Sequence, residues 1–350
     1  MRDATPDRCG YRLEVGVHDE QLPSDPCRRP VWEDHDRCVW HARVDGKPTE
    51  VLEARRPEGG DALDGAYLRE ASLVGVEWFA GASLIGADFT GADLKGAAFT
   101  DANLLLATFT DVRAMGADFS RANMEGAICT NADLRRATLT DARLHEIVLT
   151  DVHVGAGTTI GEVAFYDREA APPDLVEERP LEAAAWVYRQ LQALYRENSL
   201  PTLARRSYYL EKDARRRLAW QQSDYASAIK REVSRWVMRY GESPYRVLAT
   251  SLLVIVGFAV LFPLTGGIQE VQEGRTITYA IDDPDDAPQW WIGRVLFKSL
   301  YFSVVTFATL GYGDIQPIGT WARLLAGTEA LLGSLLAALL VFVLARIVTW

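Results

Sequence analysis

The chain has 350 residues, 48 acidic against 37 basic side chains, and a formal net charge of −11. That sign gives no reason to expect a nucleic-acid partner, because phosphate backbones are held by clustered Lys and Arg, and it suits a salt-adapted cytosol. No nucleophile–base pair, phosphate loop or open metal site stands out, so no enzymatic activity is expected, and the N-terminus has no apolar stretch of the kind a signal peptide needs.

Residues 1–57 hold Cys9, Cys27 and Cys38, with His41 completing a Cys38-x-x-His41 pair. Such a pair puts two ligands on one tight turn, and Cys9 and Cys27 would complete a tetrahedral Zn²⁺ site. Four protein ligands leave no open position, so the site would be structural. The long spacing of the first two cysteines leaves His18 or His35 as substitutes, and the competing reading is a set of ordinary buried thiols. A cytoplasmic setting argues against disulfides.

Residues 58–160 carry a period of five. From Ala82 the sequence runs ASLIG-ADFTG-ADLKG-AAFTD-ANLLL-ATFTD and onward to IVLTD. Ala82, Ala87, Ala92, Ala97, Ala102 and Ala107 recur, each followed two positions later by Leu84, Phe89, Leu94, Phe99, Leu104 or Phe109. Neither a helix nor a strand has this period, so a solenoid is expected. The pattern resembles the pentapeptide-repeat family, A-[DN]-[LF]-x-x. That resemblance implies a four-sided right-handed β-helix, apolar centres inward and variable positions in water. Units four apart should stack, with Phe89 beneath Phe109, Cys129 and Leu149, and Phe99 beneath Phe119 and Leu139. Cys129 is then a core filler. The earlier run DALDG-AYLRE-ASLVG is offset by one inserted residue near Trp78. Some members of the family are acidic rods that mimic DNA; the plainer expectation is a rigid scaffold or interaction surface with an unidentified cytoplasmic partner.

The repeat decays into a linker at 161–180, marked by Pro172-Pro173, and 181–245 reads as a helical connector with a break at Asn198-Ser199 and Pro201. Its last helix is expected to run straight toward the next segment. Arg215-Arg216-Arg217 forms a basic cluster that reads as a solvated helix face or a lipid-headgroup contact.

Residues 246–350 change character. Val247–Leu264 is charge-free and apolar over 18 residues, long enough to span a bilayer with help from its flanks. A shorter mixed segment, 294–308, suits a half-membrane helix buried in protein. A second span, 324–348, is apolar except for Glu329 and Arg346 near its end. The outer helix is thus placed at 246–265, an outer loop at 266–293 and an inner helix at 320–349. Basic residues before the first span (Lys230, Arg231, Arg235, Arg239, Arg246) and acidic ones in the loop (Glu270, Glu273, Asp282, Asp283, Asp285, Asp286) put both termini in the cytoplasm of a multi-pass membrane protein. The acidic loop reads as a solvated turret or a cation-concentrating mouth.

Between the half-helix and the second span, Thr306-Phe307-Ala308-Thr309-Leu310-Gly311-Tyr312-Gly313-Asp314 resembles the T-x-x-T-x-G-Y-G-D signature of two-transmembrane potassium channels. The chemistry needs such a run, because a dehydrated K⁺ must be met by rings of oxygens, and glycines take the backbone angles that turn neighbouring carbonyls toward one axis. The resemblance implies a filter at 309–314 in which Thr309, Leu310, Gly311, Tyr312 and Gly313 bind the ion. Asp314 caps the outer mouth. Tyr301 and Phe302 take the cuff positions that are often Trp-Trp, and Val305 stands where some relatives have Glu; Thr306 opens the signature and completes the support. Leu310 replaces the commoner Val. Gly333 sits at the position of a gating hinge, the other reading being close helix packing. Ser334, Ala337, Val341 and Ala345 share one face and would line the cavity. Glu329, costly inside a span, is expected to hydrogen-bond the back of the pore helix at Ser303 or Thr306.

The expected architecture is therefore a multidomain membrane protein: a cytoplasmic pentapeptide β-helix, an α-helical linker and an all-α two-transmembrane pore domain. One chain supplies one filter strand, so a homotetramer in the lipid bilayer is expected, K⁺-selective and without the spaced arginines of a voltage sensor. The alternative is a membrane-tethered repeat scaffold with a poorly conducting pore. The chain reaches Trp350 directly after the inner helix, so regulation is expected from the N-terminal side, from lipid or from another subunit.

Overall fold

The computed structural model describes residues 8–13, 16–17, 20–21, 25–57, 62–161, 164–167, 180–272, 275–280 and 289–348. His18, Pro172, Pro173, Glu273, Asp282, Asp283, Asp285, Asp286 and Trp350 lie outside the described residues. The chain divides into two compact units, Met1–Asp224 and Tyr225–Trp350.

The first unit begins with short antiparallel strands β1 (Gly16–Val17) and β2 (Glu20–Gln21) and a one-turn helix α1 (Thr49–Glu53). The solenoid follows, and its construction is local. Where one pentapeptide meets the next, the small residue's N–H returns to the apolar residue three positions earlier, as from Ala87 to Leu84 (3.1 Å) and from Ala92 to Phe89 (2.9 Å). The Asp or Asn between them ties the chain two residues on: Asp88 accepts from the Thr90 N–H and Asp118 from the Ser120 N–H, both at 2.9 Å. The fifth position then turns the corner in the left-handed region. Glycine serves at Gly86, Gly91 and Gly96 (φ 64°, 73° and 66°), but Asp101, Leu106 and Asp111 take the same angle, at a steric cost that glycine avoids.

Coils stack in parallel. Ser83 pairs with Asn103, Asp88 with Thr108 and Asp93 with Arg113, a 20-residue spacing that makes four pentapeptides per coil. The strands β3 (Ile128–Thr130) and β4 (Val148–Thr150) continue it, aligning Cys129 with Leu149. The first coil is one residue longer, since Ala62, Tyr67 and Ser72 pair with Ser83, Asp88 and Asp93; this is the insertion read near Trp78. Inside, Phe89 stacks on Phe109 and Phe99 on Phe119, each at 5.1 Å, and Phe79 extends the second column at 5.2 Å. Cys129 is fully buried, and burial pushes its thiol up to about 12.

At the far end of the solenoid, α2 (Pro180–Glu197) and α3 (Pro201–Gln221) form a helical hairpin. Asn198 in its turn donates to the Val152 carbonyl (2.8 Å) and accepts from the Val154 N–H (3.0 Å), closing the last coil's free backbone groups. The segment expected as a single connector is therefore split: α2 and α3 belong to the solenoid unit, and α4 (Tyr225–Met238) belongs to the second.

In the second unit α4 does not run straight into the next helix. Arg239, Tyr240 and Gly241 all have positive φ (48°, 57°, 88°) and break it before α5 (Pro244–Leu261), where Pro244 fits the first turn because its missing N–H has no partner to lose. The helix expected over 294–308, α6 (Gln289–Phe307), starts five residues earlier than expected, taking in Trp290 and Trp291, and α7 (Gly319–Val348) covers the second apolar span. Between α5 and α6 lies a feature the hydropathy pattern did not reveal. Strands β5 (Ile268–Gln272) and β6 (Arg275–Tyr279) form a hairpin, and β7 (Ile315–Pro317) joins its β5 edge. Glu270 is accordingly paired within this unit. It accepts from Lys298 (2.7 Å) and the Tyr279 hydroxyl (2.8 Å), and Lys298 holds its carboxyl below the usual carboxylate range.

Candidate ion pathway and metal-ligand group

The 309–314 run expected to form a filter is positioned by the end of α6. The Thr309 N–H returns to Thr306 and the Leu310 N–H to Val305, both at 3.0 Å, with Thr309 at φ 56°. This is a Schellman ending whose left-handed position is usually glycine; a β-branched residue there is strained. Gly311 (φ 56°) and Gly313 (φ 79°) repeat the left-handed angle while Leu310 and Tyr312 do not. In an ordinary strand successive carbonyls point to opposite sides, whereas alternating hands bring them round to one side. A Cβ on Gly311 or Gly313 would meet nothing within 4 Å in this chain, so the backbone angle and not space requires glycine. Ala308 to Asp314 are all exposed in the single chain.

After the filter, β7 threads back to the β5 edge and anchors Ile315 in a core with Phe262, Ile268, Tyr279, Val295 and Phe302. The two expected cuff residues part company. Tyr301 donates its hydroxyl to Asp314 at 2.9 Å, tying pore helix to filter, while Phe302 packs edge-on against Phe262 at 4.9 Å, toward the outer helix. Val305 is buried.

Behind the filter the three helices are pinned together by polar groups. The Ser303 hydroxyl lies 2.8 Å from the Ile255 carbonyl of α5 and also contacts the Glu329 carboxyl of α7. Glu329 thus meets the pore helix at Ser303, one of the two serine and threonine positions expected. One turn on, Gly333 lies against α6: a Cβ there would come within 2.1 Å of the Phe307 carbonyl oxygen. Ser334, Ala337, Val341 and Ala345 are exposed in the single chain, opposite Leu336 and Val343, which pack on Val247 of α5. At the end of α7, Arg346 donates to the Tyr240 carbonyl (3.0 Å) and pairs with Glu242 (3.2 Å), so the inner helix is held by the α4–α5 turn.

In the first unit, Cys9, Cys27, Cys38 and His41 converge, their ligand atoms all within 4.8 Å of one another. Cys9 Sγ and Cys38 Sγ lie 3.4 and 3.3 Å from His41 Nδ1, and Cys27 Sγ lies 3.8 Å from Cys38 Sγ. Hydrogen bonding from Cys38 pushes the Cys27 thiol well below the usual range. His35, the alternative ligand, packs on Trp32 (4.6 Å) and is not in the group.

Comparison with known proteins accounts for both units. Residues 252–349 match the "Ion channel" family model, and residues 79–113 and 115–153 match pentapeptide repeats. The chain joins a pentapeptide-repeat domain to an ion-channel domain. Both families are channel or repeat-protein types and not enzymes. The solenoid is similar to the solved pentapeptide repeat protein Rfr23 of the cyanobacterium Cyanothece 51142, with 28% identity over 28% of this chain and 63% of that one (TM-score 0.23). It is also similar to a pentapeptide repeat protein of the Arabidopsis thaliana thylakoid lumen, with 28% identity over 33% and 69% (TM-score 0.24). A third is HetL of Nostoc sp. strain PCC 7120, with 26% identity over 27% and 54% (TM-score 0.21). The chain spans a little under two thirds of Rfr23. No curated protein matches this chain. Two helices, Pro244–Leu264 and Gly319–Ile347, are long and apolar enough to cross a membrane.

Proposed function

We propose that this protein is a potassium-selective, voltage-independent channel, assembled as a homotetramer, with a cytoplasmic right-handed β-helix as its regulatory or assembly domain. The observation that carries this is the alternating left-handed backbone at Thr309, Gly311 and Gly313 within an otherwise uncovered Thr-x-Gly-Tyr-Gly strand. One such strand presents oxygens from one side only, and a dehydrated cation needs a complete ring. Four copies around an axis supply it, with the Thr309, Leu310, Gly311, Tyr312 and Gly313 backbone as ligands, Asp314 and Tyr301 bracing the mouth, and Phe302, Val305 and Thr306 backing the pore helix. Ser334, Ala337, Val341 and Ala345 then line the inner cavity, and Gly333 is the point about which α7 bends.

Aromatic side chains support a membrane setting. Trp236 and Tyr245 stand exposed near the start of α5, and Trp290 and Trp321 near the outer ends of α6 and α7, as membrane-interface belts do. On α4, Ile229, Val233 and Trp236 are exposed beside Lys230, Arg231 and Arg235, which favours a cytoplasmic N-terminal side. With the inner helix crossing back, the C-terminal end of α7 is cytoplasmic as well. The Cys9, Cys27, Cys38 and His41 group is suited to a structural Zn²⁺ with no open position.

Full-length protein in liposomes tests the channel reading. We expect K⁺ flux with Na⁺ largely excluded, and loss of that discrimination in Gly311→Ala. Equal K⁺ and Na⁺ flux from the unsubstituted protein, or no flux, overturns it.

A further inference from the structure

We propose that the Cys9, Cys27, Cys38 and His41 group is a metal-operated latch, in which one tetrahedral Zn²⁺ fastens the N-terminal hairpin onto the first coil of the β-helix. The inference rests on the structural-zinc reading and adds what the metal holds.

Three of the ligand separations match those between a tetrahedron's corners. With Zn–S of about 2.3 Å and Zn–N of about 2.0–2.1 Å, tetrahedral ligands sit about 3.8 Å apart for two sulfurs and about 3.5 Å for sulfur and nitrogen. Cys27–Cys38, Cys9–His41 and Cys38–His41 are held at 3.8 Å, 3.4 Å and 3.3 Å, and all four ligand atoms lie within 4.8 Å of one another, so a bound ion has only to draw the wider pairs in. The second ring nitrogen sets the tautomer. His41 Nε2 lies 3.1 Å from the Asp64 carbonyl, which only accepts, so Nε2 carries the proton and Nδ1 turns its lone pair to the sulfurs. The Arg29 guanidinium, 3.9 Å from Cys27 Sγ, offsets the charge of the thiolates. Cys9, Cys38 and His41 are buried, which excludes water as a fourth ligand and favours a soft cation over Ca²⁺ or Mg²⁺.

The ligands come from separate pieces of chain. Cys9 and Cys27 lie on facing segments joined by hydrogen bonds from the Cys9 N–H to Arg29 (2.9 Å), the Gly10 N–H to Cys27 (2.8 Å) and the Cys27 N–H to Tyr11 (2.8 Å). Cys38 and His41 form a turn that already belongs to the solenoid, because the Trp40 carbonyl between them accepts the Tyr67 N–H at 2.7 Å. Asp64, the partner of His41, accepts from the Ile85 N–H (3.1 Å) and the Ser83 hydroxyl of the next coil. A metal at the group therefore joins a two-stranded piece, too small to persist alone, to a continuous ladder. What the hairpin covers is visible at Tyr11. Its ring stacks on His41 at 4.2 Å and lies over Gly65, where a Cβ would come within 2.2 Å of the Tyr11 hydroxyl oxygen. A closed Cys₃His site contributes folding free energy directly, and withdrawing its ion leaves the hairpin joined to the coil by weaker contacts such as the Tyr11–His41 stack and the Arg29 hydrogen bond to the Ala62 carbonyl (2.9 Å).

The test uses the full-length protein in detergent. We expect one zinc per chain by elemental analysis, and replacement by Co²⁺ giving the thiolate charge-transfer and intense d–d bands of a tetrahedral site. Chelation should speed proteolysis ahead of Cys38 by roughly tenfold or more, readdition of Zn²⁺ should reverse it, and cleavage within 82–154 should not change. Cys9→Ser should abolish the Co²⁺ spectrum and show the chelated cleavage pattern. Failure to take up either metal overturns the site and the latch together. One bound metal whose removal leaves cleavage unchanged overturns the latch alone, and the structural-zinc reading stands.

Discussion

The solenoid and the pore unit dispose of their apolar side chains in opposite ways. Phe89, Phe99, Phe109 and Phe119 are at most 1% exposed within one chain, whereas Leu253, Leu331 and Val341 of the spans are 73%, 74% and 67% exposed. The solenoid closes on itself because apolar centres meet others ten residues away across the coil, as Phe89 meets Phe99, and the next coil 20 residues away, as Phe89 meets Phe109. Its stability is a sum of near-neighbour contacts. The pore unit has no such closure. Its 309–314 run and the face of Ser334, Ala337, Val341 and Ala345 are exposed in the single chain, and on the proposed channel reading lipid and further copies complete it. One half is a finished fold and the other is a component.

The largest effect should come from breaking that closure. Phe99→Ala removes the ring between Phe79 and Phe119 and should destabilise the solenoid by about 3–5 kcal/mol, read as faster hydrogen exchange in 82–154. If the loss spread equally into 244–348, the two units would not be energetically distinct. Next is Gly333→Ala, which drives a methyl into the Phe307 carbonyl oxygen. Overpacking of this kind costs about 1–3 kcal/mol, and it should lower the thermal midpoint of the assembled pore unit. Full retention of that midpoint would show that α6 and α7 can separate freely.

A smaller effect is expected at the polar junction. Ser303→Ala leaves the buried Glu329 carboxyl without its serine partner, a loss of about 1–3 kcal/mol, and Glu329→Leu, which removes both needs together, should cost less than Ser303→Ala. The reverse order would mean that Glu329 is held by something other than Ser303. The smallest effect is with pH. Because Lys298 depresses the Glu270 carboxyl, its contribution is full above the ordinary carboxylate range and is lost as pH falls through its lower folded value. Acidification should therefore loosen the β5–β6–β7 sheet, and Glu270→Gln should flatten that dependence.

Much of this was legible because the relevant signals are local. The five-residue period set the phenylalanine columns, the burial of Cys129 and the long first coil. The Cys38-x-x-His41 spacing brought two ligands onto one turn, and Glu329 stood out as a carboxyl in an apolar run, so its contact with Ser303 was foreseeable. The β5–β6 hairpin was not. Ile268–Gln272 and Arg275–Tyr279 are short and mixed, and β7 pairs with β5 more than 40 residues away, a register that no local pattern encodes. Phe302 also read as a filter support, because its place beside Tyr301 in sequence does not tell that the helix turns it toward Phe262.

The sequence by itself determined the two architectures and the place of the Thr-x-Gly-Tyr-Gly run, since a period of five and such a run depend only on residues near one another along the chain. The tertiary structure alone decided which groups meet across long separations: Cys9 with His41, Ser303 with Ile255 and Glu329, Tyr301 with Asp314, and Arg346 with Glu242. These contacts arise where separate elements pack, and packing depends on the shape of surfaces that come together only when the chain folds.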